Sequence, residues 1–229
     1  MKKSIFIFFL MSIISKNVIS QEYVWSVYNI KVDRINAGQV VSAMDKYLSK
    51  PGNLVDGVTV SLFEVMFANN DVDATHVISF TGSPDAMNAM YSSEQKDDWM
   101  VMMSTFDQLT ESDGSAAGRS IHTFNAESSG PIHQIYMLDV AEPGKKADAF
   151  KEMWSTIKPD GRITLGQIVS GRQDGASHYV LATSNDFKDL VSGRSNDPKT
   201  QAAWAKYRKD GGATDVVSSQ TRVLLKQWK

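Results

Sequence analysis

One pattern of apolar and polar stretches occurs twice along this chain, about 105 residues apart, and it leaves few folds open. In the first copy Val60, Leu62, Val65 and Phe67 lead through Asn69, Asn70 and Asp71 to Thr75-His76-Val77-Ile78-Ser79-Phe80, after which Ser83-Pro84 opens a helix. In the second, Ile163, Leu165, Ile168 and Val169 lead through Gly171, Gln173 and Asp174 to Ser177-His178-Tyr179-Val180-Leu181, and then to Asn185-Asp186. Landmarks keep the interval: Tyr28 and Tyr136 stand 108 residues apart, His76 and His178 102, Trp99 and Trp204 105. The near-constant offset points to tandem duplication.

The segments around these copies complete each unit. Residues 23–32 alternate as a strand, with Val24, Tyr28, Ile30 and Val32 on one side and Trp25 and Val27 on the other. Residues 36–48 carry Val40, Val41, Met44, Tyr47 and Leu48 at helical spacing and stop at Lys50-Pro51-Gly52. Ser83 is an N-cap with Pro84 at the first helical position, and the Met-rich segment that follows, to Leu109, is expected to break near Ser92-Ser93. Residues 118–124 close the first unit as a short strand, and 126–131 form a small polar linker ending in Gly130-Pro131. The second unit repeats the order: strand 132–140, helix 145–157, strands 162–170 and 178–182, helices 186–191 and 200–207, strand 215–225.

Each half, 21–126 and 131–229, therefore reads strand, helix, strand, strand, helix, strand. Such a unit makes a four-stranded antiparallel sheet with both helices on one face. These strands are apolar on both sides, so the helix-free face also needs cover, and the other half offers it. The expectation is two sheets packed together or curled into a common barrel.

This element order, the matched histidines at the start of each third strand and the tryptophan in each second helix resemble the dimeric α/β-barrel superfamily, over residues 23–227. The resemblance implies an α+β fold of two tandem ferredoxin-like β-α-β-β-α-β units whose sheets pack as a pseudo-dimeric α/β barrel. It also implies where ligands lie, between each sheet and its helices or inside the barrel. The superfamily spans small monooxygenases, haem-dependent enzymes, aromatic-degradation and dehalogenation enzymes, and units without known chemistry, so it fixes no reaction.

Residues 1–20 read as a cleaved signal peptide: a basic start at Lys2-Lys3, an apolar run from Ile5 to Ile14, and Val18-Ile19-Ser20 before Gln21. The run is about half the length of a membrane-spanning helix. The expected location is the periplasm or the exterior, with no membrane contact after cleavage. Removing Lys2, Lys3 and Lys16 takes the formal charge from −2 to −5, which argues against nucleic acid as a partner. The chain has no Cys, so disulfides and thiolate chemistry are excluded. Since the two halves cover each other, a monomer is expected.

Four residues are candidates for catalysis: His76, His178, Tyr28 and Tyr136. A histidine at the end of an apolar strand face can orient a substrate, or it can simply hold a loop by a hydrogen bond. A tyrosine facing a core needs a partner for its hydroxyl, from the protein or a ligand. His133 is in phase with Trp25, so one half could hold a site that the other lacks. Glu64 could move a proton if buried, or lie at an exposed sheet edge; Arg119 and Arg162 could neutralise an anionic ligand, but the surface is the expected place for arginine. Phosphate loops, nucleophile elbows and metal-binding His spacings are missing, so no cofactor and no metal are expected. The expected function is binding of a small apolar or aromatic molecule, aided by the adaptable methionines. A cofactor-independent monooxygenase or isomerase and a structural or interaction role are the alternatives.

Overall fold

The computed structural model describes residues 23–69, 72–93, 96–172, 175–192 and 197–229; the expected leader and the loop residues Asn70, Asp71, Gln173 and Asp174 lie outside them. The first unit runs β1 (Val24–Val32), α1 (Ala37–Leu48), β2 (Val58–Ala68), β3 (His76–Gly82), α2 (Pro84–Ser92), α3 (Asp97–Asp107) and β4 (Thr110–Phe124). The second runs β5 (Ile132–Val140), α4 (Pro143–Thr156), β6 (Ile163–Ser170), β7 (His178–Ser184), α5 (Phe187–Val191), α6 (Pro198–Asp210) and β8 (Thr214–Trp228). Local chemistry sets the helix starts. Ser83 Oγ accepts from the Ala86 N–H at 3.2 Å ahead of α2, and Asp197 Oδ1 accepts from the Thr200 N–H at 3.0 Å ahead of α6. In both, proline occupies the first helical turn. The chain leaves helix at Ser93, in extended conformation, before α3 begins.

The eight strands form one closed antiparallel barrel in the order β1-β3-β2-β8-β5-β7-β6-β4, with β4 returning to β1. Within it each unit keeps the ferredoxin-like order, β4-β1-β3-β2 and β8-β5-β7-β6. The seams are equivalent: β8 pairs with β2, from Val60↔Trp228 to Ala68↔Gln220, and β4 pairs with β6, from Ala117↔Ser170 to Phe124↔Ile163. The fold is thus the tandem ferredoxin-like barrel that the sequence implied.

Two strands are longer than expected. β4 starts at Thr110 rather than Gly118, and β8 spans 15 residues, because each must pair with its own unit along one edge and the other unit along the opposite edge. The polar run 110–117 has no alternating signal, and only its pairing with β1 makes it a strand.

Alternation separates two environments. On the helix side, Ile30, Val32, Val60, Leu62 and Ile78 pack on Val40, Met44, Tyr47 and Leu48 of α1. Inside the barrel, Trp25 meets Tyr179 edge to face at 5.1 Å, beside Ile135 and Ile168. Two strand glycines make room for these rings. A Cβ at Gly118 would come within 2.5 Å of the Trp25 ring, and one at Gly166 within 2.2 Å of the Tyr179 ring. Gly166 is therefore a packing residue within β6.

Candidate functional site

In the first unit, sheet and helices do not close on each other completely. A cavity of about 530 Å³ lies between β1, β3 and β4 on one side and α1, α2 and α3 on the other. Its wall is mainly methionine and aromatic: Met44, Met90, Met102 and Met103 with Tyr47, Phe80, Trp99 and Phe106. Methionine side chains bend to fit irregular shapes, so such a wall suits an apolar guest. The loop after α1 is tied over the cavity by Lys96, which donates to the Gly52 carbonyl and, at 3.3 Å, to Asn53 Oδ1. Lys50 and Asp98 add an ion pair at 2.5 Å across the same join.

The polar element of this wall is a pair of tyrosines. Tyr28, mid-strand in β1, has its hydroxyl 2.9 Å from that of Tyr91, which also stands 2.6 Å from Ser26 Oγ. The rings are 38% and 56% exposed, so they stand where the cavity meets solvent. Partial burial, then the bond with Tyr91, pushes the Tyr28 phenol up to about 12. Tyr28 is therefore a neutral hydrogen-bonding group at neutral pH. The sequence placed Tyr28 in the candidate set but missed Tyr91. The helical interval from Met87, which is buried in α2, to Tyr91 was the available signal.

His76 and His178 occupy matching places with matching bonds. His76 Nδ1 lies 2.9 Å from Thr75 Oγ1, and His178 Nδ1 lies 2.9 Å from Ser177 Oγ. Each hydroxyl also accepts from a backbone N–H of the neighbouring strand, Val32 at 2.8 Å and Val140 at 3.1 Å. Both rings are buried, and burial is the main cause that lowers their pKa values, opposed by Glu64 at His76 and assisted by Arg172 and Lys146 at His178. No histidine is among the residues lining the cavity. Tyr28 and His76 thus share a sheet face without meeting in the site. Glu64, opposite His76 in register, is exposed.

The equivalent space in the second unit is filled. Phe150 of α4 meets Phe124, Trp154 and Tyr207 at 6.2, 6.3 and 6.5 Å, and Trp204 closes on Trp154 and Tyr207 at 5.9 and 5.6 Å. The buried Lys146 lays its ammonium 4.3 Å from the centre of the Tyr207 ring. Tyr136 is half-buried on the helix side of β5, opposite Val180 of this cluster. A smaller cavity of about 290 Å³ does occur here, but between α4 and α6, with Glu152, Lys199, Lys206 and Asp210 among its lining. Among the described residues no group of three His, Asp or Glu stands close enough to hold a metal ion.

No protein-family model matches the chain, and no curated protein sequence matches it. Solved structures do. A protein from Fusobacterium nucleatum provisionally assigned as a monooxygenase superposes with a TM-score of 0.59 at 13% identity, over 90% of this chain and 94% of the other. One from Lactobacillus acidophilus with the same provisional assignment gives 0.60 at 9% identity, over 90% and 96%. An anthrone oxidase-like protein gives 0.54 at 12% identity, over 90% and 92%. These likenesses span both units and show the fold, a barrel made of two ferredoxin-like units in one chain.

Proposed function

We propose that this protein binds a small, largely aromatic molecule carrying a polar oxygen, in the sheet–helix cavity of its first unit. The observation that carries this is the cavity itself: about 530 Å³ of methionine and aromatic wall with the Tyr28–Tyr91 hydroxyl pair at its mouth. Apolar walls supply the affinity and a few placed polar groups fix the orientation. Titration with a hydroxylated polycyclic aromatic such as 1-naphthol, followed by the fluorescence of Trp99, checks it. Saturable binding that Tyr28→Phe weakens is expected, and its absence from the unaltered protein removes the proposal. Native mass spectrometry of protein taken from its source identifies the guest.

A second reading is favoured by the tyrosine pair. Two coupled hydroxyls beside an aromatic guest could hold a phenolate or enolate oxygen while the ring reacts with dioxygen, a cofactor-independent oxygenation. The structural neighbours assigned as monooxygenases and the anthrone oxidase-like protein support this choice of reaction. Oxygen consumption with anthrone, lost in Tyr28→Phe, is the expected result. We further propose that residues 1–20 direct export, that the mature chain starts at Gln21 and that it is monomeric. N-terminal sequencing and light scattering on the source protein test these points.

A further inference from the structure

The interior of the barrel holds positive charge that the cavity does not use. His133 of β5 stands in register with Arg222 of β8 and with Thr183 of β7. Arg162, just ahead of β6, is fixed beside Thr183: its N–H donates to Thr183 Oγ1 at 2.9 Å and its carbonyl accepts from the Thr183 N–H at 2.9 Å. These four residues form one tier of the barrel wall. Arg162, expected at the surface, is only partly accessible, and His133 and Arg222 are 5% and 7% exposed.

The tier is short of partners. Arg222 Nε, Arg162 Nε and His133 Nδ1 are buried without a hydrogen bond, as is Gln220 Oε1 on the same face of β8. Phe63 covers the Arg222 guanidinium at 4.2 Å and packs against His133 at 4.7 Å, which occupies a face of the guanidinium but leaves its N–H edge. None of the ion pairs among the described residues involves Arg162 or Arg222. Burial, then repulsion from Arg162, pulls Arg222 down to about 10, so it remains a cation at neutral pH. Burial and the two arginines outweigh the hydrogen bond to the Gly130 carbonyl and hold His133 well below its ordinary range, so it is neutral and its one N–H is given to Gly130. Buried charges are ordinarily paired, and buried N–H groups ordinarily bonded.

We propose that this tier binds a small oxyanion of the formate or nitrate kind, held between the guanidinium groups of Arg162 and Arg222, with the neutral His133 ring as part of the wall. A guanidinium edge matches two oxygens of a planar anion, which a halide cannot reproduce. The anion would supply the counter-charge that the fold omits. The site is separate from the sheet–helix cavity and stands or falls without it.

Thermal unfolding of the full mature chain in a buffer whose only anion is a large organic sulfonate tests this. Nitrate or formate at about 50 mM should raise the midpoint saturably, by roughly 5 °C, and chloride by clearly less. The Arg222→Met variant should lose the shift, while Arg34→Met, altered at an exposed position, keeps it. A rise that never saturates, an equal rise with chloride, or an undiminished rise in Arg222→Met overturns the proposal. Should Arg222→Met fail to fold, calorimetric titration of nitrate into the unaltered protein decides: heat saturating at one ion per chain supports the site, and heat without saturation overturns it.

Discussion

The two units share a backbone plan but spend their helix layers differently. In the second, Phe150 and Tyr207 fill the space between sheet and helices; in the first, Met44 and Met102, which precede them by 106 and 105 residues, line a cavity instead. Trp99 and Trp204 are retained on both sides. The difference therefore lies in a few side chains, and it separates a unit that stabilises from a unit that can accept a guest. The strand ends that cross to the opposite unit differ as well. Phe124, at the end of β4, packs on Phe150 of α4, whereas Trp228, at the end of β8, donates through Nε1 to Asp45 of α1 at 3.0 Å, beside the Lys226–Asp45 ion pair at 2.6 Å.

The largest effect should come from hollowing the filled unit. Phe150→Ala should cost about 3–5 kcal/mol in chemical denaturation, against about 2 kcal/mol for Met44→Ala, where the void already exists. Equal losses would mean that the helix layers are energetically alike. Making the first unit resemble the second comes next: Met44→Phe with Met102→Phe should lower affinity for an aromatic guest at least about tenfold, near 1.4 kcal/mol, while changing stability less. If affinity survives, the guest lies elsewhere.

Smaller effects separate the polar details. Tyr91→Phe should bring the Tyr28 phenol down from about 12 toward its ordinary 10 in an absorbance titration, since the bond to Tyr91 is the second cause of its elevation. In the unaltered protein the raised Tyr28 value contributes stability below pH 10 that is lost as pH rises toward 12, and the variant should show a weaker alkaline loss. The smallest is at Asp45, whose carboxyl is held below the ordinary range by the hydrogen bonds from Lys226, Trp228 and Ser49. Its contribution is present above pH 3.8 and fades below it, so Lys226→Ala should flatten the acid limb slightly. No such change is expected in an apolar substitution at Phe124.

Much of this architecture was legible because period-two and helical patterns survive in both copies. The matched Thr75-His76 and Ser177-His178 pairs marked equivalent corners, and the structure gives them equivalent bonds. Residues 110–117 were not legible, since their strand is imposed by pairing with β1 rather than by their own side chains. The cavity was only half legible. The methionines stood out, but their failure to fill the space depends on the absence of rings at Met44 and Met102, which no local pattern records. The inward turn of Arg162 was hidden for the same reason, because barrel closure and not strand propensity decides it.

The seam between β2 and β8 also orders events in time. Residues 58–68 find their outer partner only in residues 214–228, so the first unit emerges from the ribosome with one edge of β2 unpaired until most of the remaining chain has followed. Closure of the barrel is then a late step, dominated by contacts distant in sequence and correspondingly slow. A chaperone that recognises extended chain would have its opening during that delay.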